Sequence, residues 1–244
     1  MQRVTAWLEA PPRTAEMPAG ALSFDHAALA RALGYMTPEP RLLPAHVQEA
    51  IDRLRPVAIR LISGRATWAA VPGQVFGELV VCDRPRGSRL AVGAIVGRQL
   101  RRSRALLVFV ATIGDGLERE ARRLMTEEDP LDGFILDALG SVAVEALADA
   151  VLADATREVE ELGWQFTNRY SPGYCTWDTA DQYNLFALLP HGPAGVRLST
   201  SGLMQPLKSI SGVVGVGPEV RYAEYSCAFC GMEDCRQRLV AQSG

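Results

Sequence analysis

The chain has 244 residues, of which 48% are apolar and 22% are charged, proportions that are typical of a soluble globular protein. Its formal net charge is -3, so there is no general attraction to nucleic acid or to an anionic membrane. No apolar run approaches the roughly 20 residues that span a bilayer, and the N-terminus lacks the apolar core of a signal peptide. The composition therefore predicts a cytoplasmic protein with neither nucleic acid nor membrane as a partner.

The first part of the chain is predicted to form an arm, followed by the main body. Residues 1–40 are rich in Pro and Ala, and a short helix is expected within them over residues 24–33. The body is predicted to span residues 41–222 and to begin with a helix over residues 44–55, because Pro44 suits a first helical turn. The alternating pattern of residues 57–62 predicts a strand directly after that helix.

The next segment is predicted to contain two strands separated by a helix. Residues 75–82 have a strand pattern and are followed by a turn at residues 83–87. A helix over residues 90–100 then leads into the basic stretch 98–104, which we interpret as a solvated helix end and turn rather than a nucleic-acid site. Residues 105–112 form the most apolar short run and predict a buried strand.

Two helices are predicted after a break at residues 113–116. The first covers residues 117–125, and the second is a long helix over residues 132–162 that Gly163 is placed to end. The glycines of residues 212–217 do not lie between a strand and a helix, and no phosphate-binding loop occurs, so Rossmann and kinase-like folds are disfavoured. Mixed elements without regular βαβ alternation predict the α+β class.

Residues 169–174 read Arg-Tyr-Ser-Pro-Gly-Tyr and have the features of a ligand-binding turn. Pro172 and Gly173 predict a tight turn in which a ligand can approach the backbone. Arg169 offers a planar fork suited to a carboxylate, and Tyr174 adds a ring and a hydroxyl. An amino-acid ligand would suit this arrangement, although an ordinary arginine salt bridge beside a Pro-Gly turn fits the same residues.

Further motifs follow this turn in a fixed order. They are a helix predicted over residues 179–189 that ends in Leu-Phe-Ala-Leu-Leu, an L-x-x-S-x-x-M-x-P pattern at residues 198–206, and S-x-S-G at residues 209–212. Together with the turn, this series resembles the activation (reactivation) domain of cobalamin-dependent methionine synthase. Upstream, residues 108–114 with Glu118, and residues 136–140, are similar to stand-alone members of that family.

The resemblance implies a curved single α+β domain, built on a twisted antiparallel sheet with packed helices. It implies that S-adenosylmethionine lies in a shallow groove and methylates a corrinoid whose cob(I)alamin has oxidised to cob(II)alamin, while a flavodoxin- or ferredoxin-like partner supplies one electron. The chain is expected to act in trans on a corrinoid protein, such as a cobalamin-dependent methionine synthase that lacks its own activation domain. Because the sulfonium is already an activated methyl donor, no catalytic acid or base is expected.

The resemblance also implies a set of residues for the ligand site. Arg169 is expected to hold the ligand carboxylate, and Tyr174 to pack where the ligand meets the corrin. Thr200 departs from the family pattern, since an acidic residue precedes the serine in the synthase motif. Met204 and Pro206 are expected to be structural. The full set of expected ligand-binding residues is Arg169, Pro172, Gly173, Tyr174, Ser209, Ser211 and Gly212.

The tail, residues 223–244, contains Cys227, Cys230 and Cys235 at C-x2-C-x4-C spacing. Thiolates at this spacing can converge on Zn or on an iron–sulfur cluster, which usually takes four ligands, and Cys175 is the candidate for the fourth. The alternatives are reduced thiols packed in a terminal turn and a redox disulfide. The pattern of the sequence does not choose among these three.

Two other functions fit parts of the same sequence. One is a S-adenosylmethionine-binding module that docks on a corrinoid protein without promoting chemistry. The other is a small electron-transfer protein whose terminal cysteines hold a metal or an iron–sulfur cluster. Methyl transfer to cob(II)alamin and the metal content of the protein distinguish these functions from reactivation.

Overall fold

The computed structural model describes residues 2–35, 43–127 and 129–222, in which helices pack against an antiparallel sheet. The helices are α1 (Gln2–Glu9), α2 (His26–Ala32), α3 (Ala45–Leu61), α4 (Gly93–Leu100), α5 (Gly116–Glu127), α6 (Pro130–Glu161) and α7 (Gln182–Phe186). The strands are β1 (Arg13–Met17), β2 (Gly64–Phe76), β3 (Leu79–Cys82), β4 (Arg89–Ala91), β5 (Ala105–Thr112), β6 (Gln165–Tyr170), β7 (Arg197–Leu198), β8 (Met204–Gln205) and β9 (Ser209–Gly217).

The main sheet has the order β4-β3-β2-β5-β9-β6, and its pairings are antiparallel. Strand β2 is long enough to pair with two partners along one edge, β1 on its first half and β3 on its second half. Its other edge pairs with β5, so that β5 lies between β2 and β9, and β9 lies between β5 and β6. The predicted α+β class with an antiparallel sheet is confirmed.

The central strands are covered on both faces, which explains their continuous apolar runs. On the face that we call the helix face, Phe109 and Val214 pack against Leu152 and its neighbours on α6. On the opposite face, which we call the loop face, Val108 and Val213 join the cluster that contains Trp177, Leu185 and Leu188. Each residue of β5 is buried because alternate side chains enter one core or the other.

Several predicted elements are confirmed by the structure. The short helix near residue 25 is α2, which Asp25 caps by accepting a hydrogen bond from the amide of Ala27. Strand β5 has the predicted bounds, and α5 and α6 follow it as expected. Gly163 has a φ of 75° directly after the long helix, where glycine adopts the left-handed conformation at low cost.

Three local predictions are wrong. Helix α3 continues through Pro56 to Leu61, so residues 57–62 do not form a strand. Its buried residues recur three and four positions apart as far as Ala58, and packing of this face outweighs the hydrogen bond that Pro56 cannot make. Residues 75–82 contain a hairpin turn at Gly77 rather than one continuous strand, and residues 89–91 belong to β4, so α4 begins only at Gly93.

The N-terminal segment contributes a strand to the sheet, because β1 pairs with residues 64–68 of β2. The division into an arm, a body and a tail stays a prediction, and the tail lies outside the described residues. Across residues 2–35, 43–127 and 129–222, no helix combines the length and the apolarity needed to cross a membrane.

Candidate functional site

The Arg-Tyr-Ser-Pro-Gly-Tyr segment leaves the sheet at the end of β6 and enters a tightly folded loop, residues 171–178, which we call the edge loop. The amide of Gly173 donates to the carbonyl of Trp177 at 2.7 Å, and the amide of Trp177 donates back to the carbonyl of Tyr174 at 2.8 Å. Gly173 has a φ of 96°, as the predicted tight turn requires. Cys175 and Thr176 also have positive φ values, 48° and 74°, which non-glycine residues adopt at an energetic cost.

The edge loop is anchored by a buried tryptophan and a buried carboxylate that the sequence analysis missed. The side chain of Trp177 is 1% exposed, and its Nε1 donates to Oδ2 of Asp181 at 2.7 Å. The same Oδ2 accepts from the amide of Ala91 at 2.9 Å, while Oδ1 accepts from Nδ2 of Asn184 at 2.6 Å. Asp181 therefore joins the loop to β4 and to α7. The only feature of the sequence that points to the Trp177–Asp181 hydrogen bond is the four-residue spacing between the two residues.

A second anchor joins the start of the edge loop to β9. A Cβ atom at Gly212 would lie 2.6 Å from the carbonyl oxygen of Tyr170 and 2.8 Å from Oγ of Ser171, so only glycine fits there without a shift. The Ser171 hydroxyl donates to the carbonyl of Ser211 at 2.6 Å. The predicted site residue Gly212 thus lies directly beneath the entry of the loop.

Arg169 points to the helix face and contacts α6. Its guanidinium lies 2.5 Å from a carboxylate oxygen of Glu145 and 3.4 Å from one of Asp149. The Arg169 side chain is 24% exposed, whereas the side chains of Glu145 and Asp149 are 50% and 73% exposed. The ion-pair interpretation of Arg169 therefore describes its contacts within the chain, and both carboxylates of the cluster remain accessible to solvent.

The polar stripe of α6 continues toward its N-terminus. Nζ of Lys208 lies 2.8 Å from Oδ2 of Asp137 and 2.9 Å from Oγ of Ser141. Asp137, Ser141, Glu145 and Asp149 follow one another at four-residue spacing, so they lie on one side of the helix. Arg169 and Lys208 therefore contact successive turns of α6.

Ser209 and Ser211 point to the loop face, away from Arg169. The hydroxyl of Ser209 donates to Oγ1 of Thr112 at 2.9 Å, and Oγ of Ser211 accepts a hydrogen bond from Nε2 of Gln182. Both serines are buried. Their side chains therefore hold β9 to its neighbours, while the backbone of Ser211 and the position of Gly212 contribute to the edge loop.

Exposed aromatic and aliphatic side chains border the edge loop. Tyr174 is 45% exposed, as is Tyr183, whose hydroxyl donates to the carbonyl of Ser199. The side chain of Leu203, which is 61% exposed, follows Gly202, and a Cβ atom at Gly202 would lie 3.8 Å from the ring of Tyr183. These side chains give exposed apolar surface next to the edge loop.

Burial raises the pKa of two side chains in the core near this loop, Tyr170 and Cys82. Burial raises the pKa of Tyr170 to about 12, with a smaller contribution from Cys175. Burial beside Asp83 raises the pKa of the Cys82 thiol to about 11.

The predicted metal site falls mainly on residues that the structure does not describe. Cys227, Cys230 and Cys235 lie outside the described residues, and Cys175 lies within the edge loop. In the part of the chain that the structure describes, no group of three or more His, Cys, Asp and Glu side chains could hold a metal ion. Metal or cluster binding by the terminal cysteines stays a prediction.

Comparison with known proteins identifies a family match that includes the edge loop. Residues 95–238, more than half of the chain, match the family model of the vitamin B12-dependent methionine synthase activation domain. The crystal structure of the MetH reactivation domain bound to AdoHcy is similar with a TM-score of 0.65 and 16% identity, over 87% of this chain and 80% of that chain. At 16% identity, this likeness shows that the two chains share a fold, and it shows nothing beyond the fold. No curated protein matches the chain.

Proposed function

Because the chain belongs to the family of vitamin B12-dependent methionine synthase activation domains, we propose that it binds S-adenosylmethionine at the edge loop. There it supports the reductive methylation of cob(II)alamin carried by a separate corrinoid protein, such as a methionine synthase. The observation that carries this proposal is the charge cluster of Arg169, Glu145 and Asp149 near the end of β6, from which the chain runs into the turn at Gly173.

The charges of this cluster complement those of the ligand. S-adenosylmethionine carries a carboxylate, an ammonium and a sulfonium, so it is a cation that contains one anionic group. Arg169 supplies a planar fork for the carboxylate, while Glu145 and Asp149 attract the two cationic groups. Gly173 is exposed and has a positive φ, which favours glycine, and in this proposal the ligand lies against the exposed backbone of its turn.

The proposed chemistry requires positioning rather than acid–base catalysis. One electron from a donor protein reduces cob(II)alamin to cob(I)alamin. The electron pair on the reduced cobalt then displaces the methyl group from the sulfonium, so that a cobalt–carbon bond forms, the sulfur–carbon bond breaks and S-adenosylhomocysteine leaves. The role of this chain is to hold the methyl group toward the corrin, with Tyr174 at the exposed rim of the ligand site.

The first test is calorimetric binding of S-adenosylmethionine to the native protein and to Arg169→Ala. We expect the substitution to weaken binding by about tenfold or more, because a charge-assisted contact is worth about 1.5–3 kcal/mol. Arg157→Ala is the matched control, since Arg157 lies on α6, the helix that Arg169 contacts, and its side chain is 67% exposed and pairs with Asp154. Its ion pair is expected to contribute little.

Native protein that binds the ligand should then methylate cob(II)alamin on an added corrinoid protein under reducing conditions. Binding without methylation would identify a docking module instead of a reactivation factor. No binding by folded native protein, with or without the corrinoid protein, would contradict the proposal as a whole.

Glu145→Gln is expected to reduce the preference for S-adenosylmethionine over S-adenosylhomocysteine. The two ligands differ in the sulfonium charge, so the ratio of their affinities isolates the attraction of that charge to Glu145. Since Glu145 is half exposed, we expect the ratio to fall by about two- to fivefold at low salt. Calorimetry with both ligands measures it, and Asp154→Asn on the same helix should leave the ratio unchanged.

A further inference from the structure

The positive charge of this protein is concentrated in one short segment. Residues 84–104 contain seven of the 25 basic residues and none of the 28 acidic ones, so the segment carries +7. The rest of the chain, with 18 basic and 28 acidic residues, carries -10. The seven basic residues are Arg84, Arg86, Arg89, Arg98, Arg101, Arg102 and Arg104.

The fold brings six of these arginines to one end of the sheet, which we call the arginine end, whereas Arg98 lies on α4 next to Gly97, which packs against the β2–β3 hairpin. The turn between β3 and β4 carries the first of them, and the turn before β5 carries the last. Strand β2 joins the two turns, because Gly73 pairs with Cys82 on one side and its amide donates to the carbonyl of Arg104 on the other. The seven arginine residues are exposed, and within the described residues none forms a salt bridge.

Such a surface fits a compact acidic protein better than an extended polyanion. Arginine forks bind carboxylates in a bidentate manner, and oppositely charged surfaces accelerate encounter between proteins. A nucleic acid that extends beyond the arginine end would meet the remainder of the chain, whose net charge is -10. A protein with a local cluster of carboxylates meets chiefly the arginines, beside which Asp83 is an exposed acidic residue, since charges separated by more than about 8 Å are largely screened at physiological salt.

The arginine end is connected to the edge loop without covering the charge cluster at Arg169. Arg89 lies on β4, where the amide of Ala91 donates to Asp181. A Cβ atom at Gly93, the first residue of α4, would lie 3.0 Å from Oγ1 of Thr176 in the edge loop. A partner docked on β4 and α4 would therefore lie beside the edge loop and leave the helix-face side of Arg169 accessible.

We propose that the arginine end is the docking surface of an acidic electron-transfer protein, which reduces the cob(II)alamin of the reaction proposed above. This inference rests on the proposed function, because it assigns the donor that the function requires. The electron passes from the reduced donor to cobalt, and the arginines act by positioning the donor.

The test compares two reductants in the methylation assay, an acidic flavodoxin and the small-molecule reductant titanium(III) citrate. The variant Arg86→Glu/Arg101→Glu/Arg102→Glu reverses three exposed charges of the arginine end. The control Arg60→Glu/Arg122→Glu/Arg157→Glu makes the same change in net charge at exposed positions of α3, α5 and α6. With limiting flavodoxin, we expect the first variant to lose about tenfold or more in rate and the control to lose less than about twofold.

With titanium(III) citrate, the native protein and both variants should methylate at equal rates. The flavodoxin-dependent rate of the native protein should fall as salt rises from about 0.01 to 0.15 M, and that of the first variant should not. Equal flavodoxin-dependent rates for both variants would overturn the inference. Tighter binding of duplex DNA than of flavodoxin at physiological salt, or self-association that the first variant abolishes, would also overturn it.

Failure of the proposed function is distinguishable from failure of this inference. If native protein does not methylate cob(II)alamin even with titanium(III) citrate, the proposed function fails. Calorimetric binding of flavodoxin then tests the surface by itself: binding that the first variant abolishes and the control retains supports an acidic partner, and absence of binding overturns it.

Discussion

Asp181→Ala is expected to lower the free energy of unfolding by about 3 kcal/mol or more, because hydrogen bonds to a buried charged group contribute about 1.5–3 kcal/mol each. The carboxylate is 6% exposed and accepts from Trp177, Ala91 and Asn184. Its removal leaves the indole N–H and the Ala91 amide without their acceptor. Since both donors lie in or beside the edge loop, affinity for S-adenosylmethionine should fall together with stability.

Urea unfolding followed by circular dichroism measures this effect. Asp178→Ala is the matched control, because Asp178 accepts one hydrogen bond from the amide of Ala180 at an exposed site and should cost about 1 kcal/mol. Asp181→Asn should fall between the two, since its side-chain carbonyl can accept from Trp177 and Ala91. If Asp181→Ala and Asp178→Ala destabilise the protein equally, the buried carboxylate does not anchor the loop.

The sequence pattern predicts well those elements that are buried along most of their length, because their apolar residues form long runs. Strand β5 is buried on both faces, so its apolar run is continuous. Helix α6 has buried residues along most of its length, and Gly163 ends it. Strand β2 was not predicted apart from its last residues, because it contains Gly73 and Pro72 and mixes polar with apolar side chains along its length. Its identity depends on strands that lie far away in the sequence.

The candidate site shows the same limit. The motif at residues 169–174 indicates where the edge loop is, and the turn at Gly173 forms as predicted. The motif does not reveal that Arg169 contacts Glu145 and Asp149. These residues precede Arg169 by 24 and 20 positions and meet it only because α6 packs on the sheet.

The S-x-S-G motif illustrates why strand register matters for function. Sequence alone places Ser209, Ser211 and Gly212 together, yet alternation in β9 sends the two serine side chains to the loop face. Gly212 faces the opposite side, where Phe109 and the entry of the edge loop lie. The motif therefore contributes to the edge loop through the missing side chain of its glycine and through the Ser211 carbonyl.

Gly212→Ala tests this interpretation directly. The added Cβ would lie 2.6 Å from the backbone oxygen of Tyr170, so β6 must shift away from β9 where Arg169 and the edge loop begin. Overpacking of this kind typically costs about 1–3 kcal/mol of stability. Since the shift also moves Arg169 relative to Gly173, we expect affinity for S-adenosylmethionine to fall by about tenfold, which corresponds to about 1.4 kcal/mol.

Gly20→Ala is the control, because a Cβ atom there meets nothing within 4 Å and the residue lies far from the edge loop in sequence. Unfolding in urea and ligand calorimetry should show almost no change for Gly20→Ala and losses in both quantities for Gly212→Ala. Combining Gly212→Ala with Ser171→Gly removes the second close contact, at 2.8 Å, but not the first. Partial recovery of ligand affinity in the double variant would show that the strain arises at the entry of the edge loop. Unchanged ligand affinity in Gly212→Ala itself would show that the S-x-S-G motif has no part in ligand binding.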